Sequence, residues 1–278
     1  MEAKELEKQR QLRVVKSNEM IRKGRFNLAL VEQRIVLYII SKIRPDAADF
    51  DTVEFNIKDF CEVCGIQYRS NISALKDTIK ELADKSMWIK TGKGKQQTLI
   101  RWIEKPYIDP DCGVVKIRLD RDLLPYLINL KSNFTEYQLI STLALHSGYS
   151  LRLYELLKSY LYTGKYEISV EELKDYLQVD SRYRELKYFN RDVVRRALDE
   201  INDYTDIEVD CEYIRQGRFI SGYRFLIQED NEHRHVLTRA YLSGKRPSKR
   251  KMAMDYKKAM EQLQGQISLF ENEQGGEE

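Results

Sequence analysis

The sequence predicts an α+β chain that carries one small helix-and-hairpin fold twice in tandem. Three observations lead there. The same order of apolar-patterned segments occurs in both halves of the chain. The apolar registers of the two copies correspond at constant offsets. Each copy ends in two strand-like runs joined by a short basic turn.

In the first copy, Asn27 is placed to cap a helix whose apolar positions are Leu28, Val31, Ile35, Ile39 and Ile43, stopped by Pro45. Val53, Phe55 and Ile57 alternate as a strand does. Phe60 to Gly65 reads as a short helix ended by glycine. A longer helix follows from about Arg69, with Ile72, Leu75, Ile79 and Leu82 inward. Met87–Thr91 and Thr98–Glu104 form a hairpin around Gly92-Lys93-Gly94-Lys95, and Val115 to Leu119 adds a strand.

The second copy repeats this order. Glu136–His146 and Leu151–Tyr162 are expected to be helical, Tyr166–Ser169 a strand and Val170–Val179 a short helix. Tyr183–Tyr204 is expected as a long helix, followed by strands Ile207–Ile214 and Phe219–Gln228 around Arg215-Gln216-Gly217-Arg218. Phe55, Ile57 and Phe60 correspond to Ile168, Val170 and Leu173, each 113 positions later. Leu75, Ile79 and Leu82 correspond to Val194, Leu198 and Ile201, each 119 positions later, so six residues are inserted between the two short helices. Helices followed by a β-hairpin wing make the winged-helix variant of the helix-turn-helix. The chain is therefore expected to divide into a helical lead-in at 1–16, a winged-helix domain at 17–130, a second at 131–229, and a flexible basic and polar tail at 230–278.

Composition limits the function classes. The 278 residues suit one large or two small domains, and 42% hydrophobic residues suffice for ordinary cores. No apolar run approaches the length of a membrane span, and the charged first ten residues do not form a secretory signal. The four cysteines suggest no disulfide framework, so a cytoplasmic location is expected. A net charge of +3 does not announce nucleic-acid binding, which leaves the distribution of charge to decide.

That distribution singles out the long helix of the second copy. Phe189, Val193, Ala197 and Ile201 share one face, with Val194 and Leu198 beside them. Arg184, Tyr188, Arg191 and Arg195 share the opposite face, flanked by Lys187 and Arg196. A helix fits the major groove, and arginine can donate two parallel bonds to guanine O6 and N7. Asn190 falls nearer the core-facing edge. The matching face of the first copy is Ser70, Ser73 and Asp77, edged by Arg69 and Lys80. It is less basic and suits phosphate positioning better than base reading. Lys93 and Lys95 in the first wing, and Arg215 and Arg218 in the second, suit phosphate or minor-groove contact. A basic cluster in the tail (Lys245, Arg246, Lys249, Arg250 and Lys251) suits non-specific affinity.

Several short motifs resemble one family. Lys16-Ser17-Asn18 with Leu30-Val31-Glu32-Gln33-Arg34 is similar to the opening of plasmid replication initiator (Rep) proteins. Tyr154-Glu155-Leu156-Leu157-Lys158 with Glu172-Leu173-Lys174, and Ala197 with Glu200-Ile201-Asn202 and Thr205-Asp206-Ile207, are similar to that family too. The resemblance covers about residues 15–228. It implies two winged helices on one repeated origin site, the iteron, with the second domain as principal base reader. It also implies monomers that open an adjacent AT-rich region, and dimers formed through the first domain that repress the protein's own gene. The implied host partners are the initiator DnaA and the replicative helicase. Gln266-Ile267-Ser268-Leu269-Phe270 resembles the bacterial sliding-clamp-binding pentapeptide, in which a flexible segment docks a Leu-Phe pair in an apolar pocket.

Other chemistries fit less well. His233-Arg234-His235 departs from the metal motif of rolling-circle nicking proteins, for which Tyr241 or Tyr256 would be the nucleophile, because Arg234 is not apolar. Cys61-Glu62-Val63-Cys64 has the spacing of half a zinc site, but no second pair follows, so these cysteines are expected in the core. Gly92-Lys93-Gly94-Lys95 lacks the pattern of a nucleotide-binding loop, and His146 is expected to be structural. The expectation is a DNA-binding initiator with no enzymatic activity, no cofactor and no metal. The alternative is a double winged-helix transcriptional repressor.

Overall fold

The computed structural model describes residues 1–66, 72–90, 96–179, 181–230 and 234–243, with backbone alone at 72, 182 and 234–237. Helix α1 (Ala3–Arg10) gives way to strand β1 (Arg13–Ser17), so the expected helical lead-in ends early. Ser17 accepts from the Met20 amide and caps α2 (Asn18–Lys23), which leads into β2 (Gly24–Arg25). Helix α3 (Leu30–Ile40) starts three residues beyond the expected Asn27 cap. At its start the Ala29 amide donates to the Glu32 carboxylate at 2.6 Å. Glu32 is fully buried and also accepts from Lys85 Nζ at 2.7 Å.

Strand β3 (Val53–Asn56) runs into α4 (Ile57–Val63), capped by the Asn56 side chain on the Lys58 amide. Helix α5 (Ile72–Asp84) buries Leu75, Ile79 and Leu82. Strands β4 (Ser86–Lys90) and β5 (Gln97–Arg101) form the first wing hairpin. Then come β6 (Tyr107–Asp109), β7 (Val114–Ile117) and α6 (Leu124–Leu127). The core of this half gathers Tyr38, Phe55 and Phe60, whose rings lie 5.3–5.5 Å apart in edge or tilted contact.

Residues 134–138 form strand β8 (Phe134–Gln138), not the start of the helix expected over 136–146. Only α7 (Ile140–Leu143) is helical there. The strand pairs antiparallel with β1, from Arg13↔Gln138 to Ser17↔Phe134. Its burial alternates residue by residue, with Thr135 and Tyr137 inside, which is a period of two. The partner strand lies far away in the chain, so local spacing could not reveal the pairing.

Helix α8 (Gly148–Lys158) joins the two halves. On one side Glu155 accepts from Lys16 at 2.6 Å, both side chains 5% exposed, and from the Tyr137 hydroxyl. On the other side Tyr154 and Lys158 donate to Asp206 at 2.7 and 2.8 Å. Arg152 is 2% exposed and donates from Nη2 to the Gly24 and Tyr176 carbonyls, both at 2.9 Å, with Phe26 and Tyr176 stacked against its guanidinium.

Strand β9 (Lys165–Ser169) feeds α9 (Val170–Leu177) through a reciprocal cap. Ser169 accepts from the Glu172 amide while the Glu172 carboxylate accepts from the Ser169 amide. A helical rod over 186–204 comprises α10 (Leu186–Tyr188), a π-helical stretch Phe189–Arg195 and α11 (Arg196–Tyr204). Strands β10 (Ile207–Gln216) and β11 (Phe219–Glu229) form the second wing, and the sheet order is β10-β11-β9. Gly222 faces the Ile168 carbonyl so closely that a Cβ would sit 2.7 Å from it, which reserves the position for glycine.

The repeat holds in register. Ile57 and Val170 each open their short helix, and all six of the corresponding apolar pairs are buried. The sheets differ. In the second half the strand before the short helix pairs with the wing. In the first half β3 pairs with β7 in a sheet ordered β3-β7-β6, and the wing is completed by β2 instead. The extra hairpin of β6 and β7 takes the edge of β3 that the wing would otherwise occupy.

The expected linker-like tail begins with α12 (Arg234–Leu242), and the Thr238 hydroxyl, fully buried, donates to the Tyr204 carbonyl at 2.9 Å. Among the described residues no helix is long and apolar enough to cross a membrane.

Candidate nucleic-acid interface

The rod over 186–204 has two sharply different sides. Phe189, Val193, Val194, Ala197, Leu198 and Ile201 are all buried. Each large apolar side chain so placed stabilises the rod by about 1.5–3 kcal/mol. Lys187, Tyr188, Arg191, Arg195 and Arg196 are exposed. The π-helical stretch contains both Arg191 and Arg195. Such widened turns recur at functional sites.

The exposed cations are not equivalent. Arg191 makes a two-pronged pair with its neighbour Asp192, at 2.6 Å from Nε and 2.8 Å from Nη2, and its guanidinium lies 5.2 Å from the Tyr188 ring. The bonds to Asp192 push the Arg191 pKa up. Arg195 donates from Nε to the Tyr213 hydroxyl at 3.4 Å, linking the rod to the root of the wing. Arg196 pairs with Glu200 at 3.2 Å, and Glu200 also accepts from the His146 amide at 2.9 Å. Arg196 therefore also braces the packing around α7. Lys187 is exposed and has no ion pair among the described residues.

Arg184 departs from the expected stripe. It lies in the turn between α9 and the rod, where its carbonyl accepts from Lys174 Nζ at 2.9 Å. Asn190 accepts from the Tyr223 hydroxyl, so it holds rod to sheet, in keeping with its core-edge placement.

Arg215 and Arg218 are exposed at the second wing tip. The tip is a two-residue loop, Gly217-Arg218, between the paired Gln216 and Phe219. Gly217 has φ of 61° at the first central position, which the turn requires. Phe219 is 79% exposed there. From the sequence it is an ordinary strand residue; its place on the last rung before an Arg-bearing turn is the available signal.

In the first half, Ser73 and Lys80 lie exposed on α5, as does Asp77. Arg69, Ser70, Lys93 and Lys95 lie outside the described residues, as do His233, the basic tail cluster and the pentapeptide Gln266, Ile267, Ser268, Leu269 and Phe270. Cys61 and Cys64 are buried free thiols, and burial pushes the Cys64 thiol up to about 12. Among the described residues no cluster of His, Cys, Asp or Glu could hold a metal ion.

Two family models match this geometry in order. The model described as Initiator Replication protein, WH1, matches residues 13–158, and Initiator Rep protein, WH2, matches residues 169–227. The chain belongs to the initiator replication protein family. As a member of it, the chain is 23% identical to a replication initiation protein of Escherichia coli over 231 residues, 80% of this chain and 71% of that one. It is 31% identical to the PI protein of Escherichia coli over 185 residues, 58% of this chain and 60% of that one. Its fold matches the crystal structure of Pi initiator protein in complex with iteron DNA, with a TM-score of 0.65 at 22% identity, covering 80% of this chain and 99% of that one. The expected pair of winged-helix domains and the resemblance to initiator proteins are thus borne out.

Proposed function

We propose that this initiator family member binds repeated origin sites, iterons, in duplex plasmid DNA. The rod over 186–204 reads bases in the major groove, chiefly through Arg195, Arg191, Lys187 and Tyr188. Arg184, Arg196, Arg215 and Arg218 grip backbone, and the first half adds Arg69, Ser70, Ser73, Lys80, Lys93 and Lys95 along the duplex. The observation that carries this reading is the two-sided rod, sealed into the core on one side and basic on the other, within a chain of this family. The likeness in fold to an initiator solved with iteron DNA supports it.

Three further activities belong to the same proposal. Bound copies open the adjacent duplex. Dimers formed through the first half repress the protein's own gene. The tail engages the host sliding clamp through Gln266–Phe270, beside contacts with DnaA and the replicative helicase. The protein acts in the bacterial cytoplasm and without catalysis of its own.

Footprinting on the DNA flanking the protein's own gene, at stated salt, tests the reading. Protection of several direct repeats, each about two helical turns long, is expected. Protection of a single inverted repeat over the promoter would favour a repressor without a replication role. Metal-dependent nicks in supercoiled origin DNA, abolished by changing His233 or His235, would favour an enzyme.

A further inference from the structure

We infer that Phe219 is a wedge: the second wing carries its ring into the minor groove next to the major groove read by the rod, where it unstacks a base step and bends the duplex. The inference rests on the DNA-binding reading above and adds a distortion to it.

The wing is rooted on the rod. Tyr213 holds Arg195 at 3.4 Å and lies in ring contact with buried Tyr223, its partner across the sheet. From Tyr213 the strand runs on to the tip at Gln216 and Gly217. At roughly 3.3 Å per residue that is about 10–13 Å. That reach covers most of the half-turn of duplex, about 17 Å, that separates a major groove from the next minor groove.

The tip stands clear of the protein: a Cβ on Gly217 would meet nothing within 4 Å. Phe219 is the most exposed large apolar side chain among the described residues, and it has no ring contact among them. A register shift between Ile214 and Arg215 accounts for its orientation. Ile214 pairs with Gly222 and Arg215 with Ile220, which leaves Ser221 as the extra residue of a bulge. Without the bulge, Phe219 would share the face of Tyr223, Phe225 and Ile227, which are buried. With it, Arg215 and Ile220 take that face and Phe219 turns to the other. Bulges re-aim side chains in this way.

The surroundings suit the minor groove. Arg218 adjoins Phe219 in the turn and Arg215 projects from the opposite face of the hairpin, and neither has an ion pair among the described residues. Both would meet phosphates at the edges of the groove that the ring enters. Apolar wedges flanked by cations are a general means of kinking DNA, and the cost of unstacking is offset by the larger surface the bent duplex can wrap.

The experiment uses the full chain and a duplex carrying the site that the wild type protects. Dyes at the duplex ends report bending by energy transfer, and 2-aminopurine placed half a turn from the protected major-groove bases reports unstacking. With wild type, both signals should appear. Phe219→Ala should lose the 2-aminopurine signal and most of the bend, with affinity down about five- to twentyfold and the salt slope unchanged. Phe219→Leu should keep most of both signals. Arg218→Ala should flatten the salt slope and leave the unstacking signal in place. A Phe219→Ala protein that still footprints, bends and unstacks like wild type overturns the wedge and leaves the initiator reading intact. Failure of the wild type to protect any site overturns the DNA-binding reading, and the wedge with it.

Discussion

Arg195 and Tyr213, 18 residues apart in the chain, meet through a 3.4 Å hydrogen bond from the guanidinium Nε to the phenolic oxygen. The bond joins the exposed side of the rod to the root of the second wing. It ties the rod to the second hairpin through Nε, apart from the terminal nitrogens proposed to meet DNA. The bond to Tyr213 also raises the Arg195 pKa.

Arg195→Ala should lower specific affinity by about 1–3 kcal/mol, the worth of a two-pronged contact to one base pair, and relax selectivity at one position of the site. Competition binding with single-base variants of the protected site measures both. Unchanged selectivity would remove Arg195 from base reading. Arg191→Ala should act at a different position, since Arg191 must exchange Asp192 for a base.

Arg215→Ala should weaken binding to all duplexes alike. Its signature is a salt dependence of log affinity reduced by about one unit of slope, the expectation for one lost phosphate contact. A change confined to one sequence would assign Arg215 to base readout instead.

Lys16→Met leaves the Glu155 carboxylate buried with the Tyr137 hydroxyl as its hydrogen-bond donor on that side. Breaking one member of a buried pair costs about 3–5 kcal/mol. Replacing both, as Lys16→Met with Glu155→Leu, should recover much of the loss, because two apolar side chains need no compensation. Urea unfolding of the two single variants and the double variant measures the coupling. Additive single effects would show that the pair does not tie β1 to α8 energetically.

Ser169→Ala removes one side of the cap on α9 and should cost about 1 kcal/mol near neutral pH. The Ser169 hydroxyl and amide hold the Glu172 carboxyl below its ordinary pKa. A depressed folded value means that this stabilisation is full above the ordinary glutamate pKa and is lost as pH falls through the lower folded value. The gap between wild type and Ser169→Ala should therefore narrow with acid, as followed by urea melts from about pH 7 to about pH 3. A gap independent of pH would mean that the carboxylate plays no part in the cap.

Leu269→Ala with Phe270→Ala should abolish binding to the sliding clamp and leave the origin footprint unchanged, because the two side chains are the apolar anchors of the pentapeptide. Clamp binding retained in a pull-down with purified clamp would retire the motif.

The sequence by itself determined the pseudo-repeat and the sidedness of the rod. Phe55, Ile57 and Phe60, their counterparts Ile168, Val170 and Leu173, and the buried and exposed sets along 186–204 all express local periodicity. A helix or strand must bury one face, and the order of residues states which. Tertiary structure decided the rest, through partners distant in the chain. Residues 134–138 became a strand because β1 offers its edge, against a helical spacing that only Leu139 onward obeys. Arg184 left the stripe because a turn interrupts the helix before Leu186, and the first wing closed on β2 because β7 had taken β3. Phe219 shows the limit most plainly. Alternation along β11 alone puts it with the buried rings. One unpaired residue in the pairing of β11 with β10 turns it outward, and backbone hydrogen-bond register between two strands is not written in the spacing of either.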